Sequence, residues 1–148
     1  MMSPMSKVAT RVGLVAFLAA GLGAPAAAAQ QGASAVRVRI VEPKGGDSLT
    51  GTSVHVVLQA QGVEIAPAAE HRAGTAHHHL FLDTDLTATD AAIPVGTTGI
   101  VHLGKGQSEY MFVAVAPGVH RLIALLADPN HVPLKPLAAD TVRFVVKP

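Results

Sequence analysis

A repeat of two residues, more than any other feature, limits what this chain can fold into. In AVRVRIVEP, Ala35 to Pro43, the side chains of Val36, Val38 and Ile40 point one way and those of Arg37 and Arg39 the other. Neighbours in a strand face opposite sides, so the segment reads as a half-buried β-strand, whereas an amphipathic helix would repeat every 3.6 residues. The same reading gives strands at Ser53–Ala60, His77–Asp83, Gly99–Leu103 and SEYMFVAV, then at HRLIALLA, which is apolar on both faces and so central, and at TVRFVVKP. Turn formers separate them: PKGGDSLTG, the polar run DTDLTATD, GKGQ as a hairpin joining Gly99–Leu103 to SEYMFVAV, Pro117-Gly118 as a type II pair, and DPNHVP. Gln61–Thr75 carries no period and is expected to wrap over the surface. About seven short strands with no helical period predict an all-β fold, a single antiparallel immunoglobulin-like β-sandwich over residues 35–148.

Ahead of the sandwich stands a different kind of segment. Lys7 and Arg11 precede the apolar run VGLVAFLAAGLG, and Ala27-x-Ala29 follows Pro25. This is the pattern of a cleaved signal peptide over residues 1–29, with residues 30–34 as a connector. The product is expected in the periplasm or secreted, with no stable membrane insertion after cleavage. Losing Lys7 and Arg11 leaves nine basic against ten acidic residues, a net charge of −1. Basic residues scattered singly on a near-neutral chain give no footprint for nucleic acid. The absence of cysteine excludes disulfides, thiol catalysis and thiolate metal sites, so packing alone must hold the fold of about 119 residues.

The chemistry lies in the histidines, eight among 148 residues. In AHHHLFLD, strand periodicity puts His77 and His79 on one face with Phe81, and His78 on the other with Leu80 and Leu82. At a rise of roughly 3.3 Å per residue, the Cα atoms of His77 and His79 stand about 6.6 Å apart, a span from which two imidazoles reach one ion. Further ligands would come from His102, just before the glycine pair, or His131, in a turn; His71, His120 and Asp83 are the other candidates. Imidazole donors without thiolates suit zinc or copper(II). The ligand set expected from sequence is His77, His79, His102 and His131, with His78 as second choice. The alternative for the same residues is a hydrogen-bonded polar network that binds nothing.

Other motifs point nowhere. DTDLTATD lacks the glycine and glutamate of a calcium loop, GKGQS lacks the phosphate-loop spacing, and Ser48, Ser53 and Ser108 stand in no nucleophile motif. Metal-assisted hydrolysis would need a general base, and the sequence offers no placed glutamate.

HHHLFLD, HLGKGQSEY and APGVHRLIALLADPNHVP, in this order and spacing, resemble the DUF4399 family of small exported bacterial proteins without assigned function. The resemblance spans Gly74–Pro133. It implies that His77, His78, His79, His102, Gly104, Lys105, Gly106, Gln107, Pro117, Gly118, His120, Asp128, Asn130, His131 and Pro133 occupy family positions, and it implies no reaction. It also implies histidines at the places of Ile100 and Leu134, where this chain has none, so any shared ligand cluster is smaller here. Two functions follow as expectations. One is a non-enzymatic exported binding protein with a histidine-lined divalent metal site. The other is an envelope protein-interaction module whose histidines are structural or pH-responsive.

Overall fold

A computed structural model describes residues 34–148; the expected signal peptide, residues 1–29, and connector residues 30–33 lie outside the described residues. Alternation becomes burial along β1 (Arg37–Glu42) and β3 (Val54–Gln61), where Val38, Ile40, Val54, Val56 and Leu58 are buried and Arg37, Arg39 and His55 exposed. These two strands pair antiparallel, and β7 (Glu109–Phe112) joins β3 to complete a three-stranded sheet.

The second sheet has six strands. Its centre is β8 (Gly118–Ala127) between β9 (Ala139–Lys147) and β5 (Thr75–Leu82), all antiparallel. A strand covered on both faces must be apolar on both, and Leu122 to Ala127 are all buried. On the far side of β5 lies β6 (Ile100–Leu103), antiparallel to it. Two short strands pair in parallel: β2 (Ser48–Thr50) with β9, and β4 (Glu64–Ile65) with β5. The described residues thus form the immunoglobulin-like antiparallel sandwich expected, with nine strands rather than seven. The two additions sit where only turns and surface wrapping were expected, and both are too short to show a period.

The main core fills the space between the sheets, with Val56, Leu58, Leu80, Leu122, Leu126 and Phe144 among its members. A satellite core of Phe81, Ile93, Ile123, Leu125 and Ala127 covers the outer face of the large sheet. It is roofed by the connection from β5 to β6, which supplies Ile93 and Leu86. None of the described helices is long and apolar enough to cross a membrane.

Two turn assignments are corrected. GKGQ does not return the chain as a hairpin: β6 pairs with β5 in one sheet and β7 with β3 in the other, so residues 104–108 cross between sheets. Before β8 the left-handed residue is Ala114 (φ 58°), while Gly118 enters the strand at φ 148° and is no type II turn residue.

Candidate metal centre

Strand register brings the imidazoles together. His77 and His79 lie on the face of β5 that looks away from the main core, along with Phe81. His79 stands directly opposite His102 of β6 and opposite Leu125 of β8, and His77 stands opposite Ala127. Residues opposite each other in an antiparallel pair share a face, so His77, His79 and His102 converge on the outer face of the large sheet. Ala127, being small, leaves room beside His77.

The chain leaves β8 at Ala127, and the next residues bring in the fourth ring. The Asp128 carboxylate accepts hydrogen bonds from the backbone N–H groups of Asn130 (2.8 Å) and Val132 (2.9 Å). The Asp128 N–H donates to the Val132 carbonyl, and the His131 N–H to the Asp128 carbonyl. This is the short-range bonding that favours aspartate in turns, and it folds the loop back over the sheet. His131 sits there at φ 68°, and its carbonyl accepts from the Ile93 N–H at 2.9 Å.

The result is a knot of four imidazoles. His77 Nε2 and His79 Nε2 are 2.9 Å apart, and His102 Nε2 and His131 Nε2 are 3.2 Å apart. Ring centroids of all six pairs lie between 4.7 and 5.8 Å. Zinc–nitrogen bonds of about 2.0–2.1 Å place tetrahedral vertices about 3.3–3.4 Å apart, close to both nitrogen pairs. His77, His79 and His102 each offer a ligand atom within 4.8 Å of the others'.

Charge state favours ligation. Burial first, then the neighbouring imidazoles, hold His77 down at about pKa 4 and His79 at about 3, and burial lowers His102 as well. At neutral pH these three rings are uncharged, the form in which an imidazole carries a free lone pair. His77 and His79 are wholly buried, and their Nδ1 atoms have no hydrogen-bond partner among the described residues.

Gly104 also serves the site, a role its turn chemistry does not announce. A Cβ built on it would lie 2.1 Å from Cε1 and 2.3 Å from Nε2 of His102. The His102 ring therefore lies over the glycine, which is needed for space. Gly106, at φ 78°, is the member of the pair that takes a left-handed backbone.

The other candidates lie elsewhere. His78 points into the main core, where its Nδ1 bonds the Gln107 carbonyl at 3.1 Å and burial lowers its pKa, so it shares no site with its neighbours. His120 and Asp83 meet at 2.6 Å at the opposite end of β5. His71 lines a groove of about 560 Å³ with Val36, Val63, Leu134, Asp128 and Asn130.

A family model described as "Domain of unknown function (DUF4399)" matches residues 56–147. No curated protein matches the chain. Similar solved structures include the fibronectin(III)-like modules of Clostridium thermocellum CbhA, with 14% identity, TM-score 0.45 and coverage of 74% of this chain and 95% of that one. The PKD domain from human KIAA0319 has 16% identity and TM-score 0.39, covering 76% and 81%. The endo-beta-1,4-mannanase from Thermotoga petrophila has 12% identity and TM-score 0.47; 79% of this chain is covered, but only 21% of that protein.

Proposed function

Since the chain belongs to the DUF4399 family, which carries no assigned activity, we propose its function from the site: an exported, non-enzymatic binding protein that holds one divalent transition-metal ion, zinc or copper(II). Residues 1–29 carry the export pattern, and the destination is the periplasm or the medium. The ligands are His77, His79, His102 and His131. A single observation supports this most: four imidazoles meet through their Nε2 atoms on the outer face of one sheet, in pairs 2.9 and 3.2 Å apart. Neutral imidazoles gathered in this way offer an all-nitrogen donor set, which suits a borderline cation.

The test is metal content and affinity of the untagged chain, by elemental analysis and by zinc and copper(II) titration. One ion per chain is expected, lost in the His77→Ala/His79→Ala double variant and kept in His55→Ala. Unchanged stoichiometry in the double variant would refute the ligand assignment.

A second reading, an envelope protein-interaction module with pH-responsive histidines, draws on His120. Its Nδ1 faces the Asp83 carboxylate at 2.6 Å and its Nε2 the Ala116 carbonyl at 2.8 Å. Both partners only accept, so the imidazolium is the form that satisfies both. Burial alone would lower this ring's pKa, but these two bonds and the Asp83 charge raise it. This reading predicts an envelope protein whose capture changes with His120→Gln and not with chelator. Capture abolished by chelator and indifferent to His120→Gln would refute it.

A further inference from the structure

We propose that the four imidazoles are not equivalent: His77, His79 and His102 form the seat of the ion, and His131 is a replaceable fourth ligand whose place a small nitrogen donor from solution can take. The inference rests on the metal reading above and deepens it. Two observations separate His131 from the other three rings, and its exposure and contacts agree with them. It falls outside the compact set whose ligand atoms all lie within 4.8 Å of one another. It sits on a loop, whereas the other three sit on hydrogen-bonded strands of one sheet. It is only half buried, while His77 and His79 are wholly enclosed, so it and His102 mark the side that faces solution. Among the described residues, the one hydrogen-bond contact of its ring is His102 Nε2, at 3.2 Å.

The backbone of this loop does not depend on the ring. Asp128 gathers the N–H groups of Asn130 and Val132, and Ile93 holds the His131 carbonyl. The imidazole can therefore swing away by side-chain rotation while the loop stays closed. In the exchange, the bond from the ion to His131 Nε2 breaks and the incoming donor's lone pair forms the new one. The oxidation state of the ion is unchanged. Three protein ligands with one exchangeable position leave the ion open to molecules from solution, whereas structural sites are closed by four.

The variant His131→Gly suits the test, because glycine takes φ 68° without the strain a histidine bears. Cobalt(II), bound in place of zinc, reports its coordination through its visible absorption. The full chain carrying His131→Gly is expected to keep one cobalt per chain. Its affinity should fall by more than the roughly 10–100-fold that an outer-sphere change costs. Added imidazole should restore affinity, and imidazole or azide should shift the spectrum; His102→Ala should not respond in this way. The variant His131→Asn, also at home in a left-handed backbone, repeats the measurement should glycine loosen the loop, with circular dichroism confirming the fold of each. Loss of cobalt as complete as in His79→Ala, or a spectrum indifferent to imidazole and azide in both variants, overturns the proposal. Failure of the unsubstituted chain to bind cobalt, zinc or copper overturns instead the metal reading beneath it.

Discussion

Gly104→Ala isolates the geometry of the site from the chemistry of its ligands, because it removes no donor. The added Cβ would stand 2.1 Å from Cε1 of His102, and carbon atoms in contact settle at about 3.5–4.0 Å. The ring must retreat by roughly 1.5 Å, whereas a ligand distance holds to about 0.2 Å. His102 is therefore expected to leave the ion. The fold should tolerate the change: Gly104 has no positive φ to defend, and His102 is only half buried and has room to swing outward. Overpacking a closed core costs about 1–3 kcal/mol, and the apo protein should lose no more than the low end of that range. Zinc affinity should fall as far as in His102→Ala, measured by competition against a chromophoric chelator. Combining the two substitutions should add nothing, since Gly104 acts through the ring that His102→Ala removes. Unchanged zinc affinity in Gly104→Ala would refute the reasoning, as would a double variant clearly weaker than His102→Ala.

Three further outcomes are expected. In the apo chain, His77 and His79 titrate near pKa 4 and 3 when folded but near 6.5 when unfolded, so the unfolded state binds more protons in between. Stability should be full above pH 6.5 and fall toward pH 3, by about 1.4 kcal/mol per unit for each ring in its window. Urea unfolding of metal-free protein at stepped pH measures this, and a flat profile would contradict the buried, neutral pair. For His120 the sign is opposite: its raised pKa gives stability that is present below pH 6.5 and lost as pH rises through the folded value. In Asp83→Asn its NMR titration should move toward lower pH; an unmoved midpoint would show that the Asp83 contact does not hold the proton. Phe81→Ala should cost about 3–5 kcal/mol, because Phe81 is wholly buried in the satellite core beside His79, and a melting curve close to that of the unsubstituted chain would show that this core is not packed as described.

The fold was legible where a period had length to show itself. Six residues of β1 suffice for alternation and ten of β8 for a strand covered on both sides, but three residues of β2 and two of β4 do not. GKGQ misled for a different reason. The glycines that turn a chain back beside its own strand serve equally to carry it across to the other sheet, and only the pairing of β7 with β3 decides between them. The site was legible to the same depth. That His77 and His79 share one face and His78 the other follows from a period of two, whereas which face meets the main core is decided by packing. That His79 stands opposite His102 depends on a register set by side chains in three strands, and the crowding of Gly104 by His102 exists only once the chain is folded.

The three segments that resemble the family map onto the knot in a way their sequences do not declare. HHHLFLD brings two buried rings on one strand face. HLGKGQSEY brings His102 together with the glycine that its ring needs for space. ADPNHVP brings His131 together with Asp128, the aspartate that folds the loop back over it. Each segment thus carries a donor and the means of aiming it, which a network of polar side chains at strand ends would not require. The residues at the two places where the resemblance implies further histidines fit the same account. Ile100 stands opposite Phe81 and packs into the satellite core, and Leu134 packs against the main core. Apolar side chains at these places are taken up in the two cores, and the rings that remain together on this face of the sheet are the four of the knot.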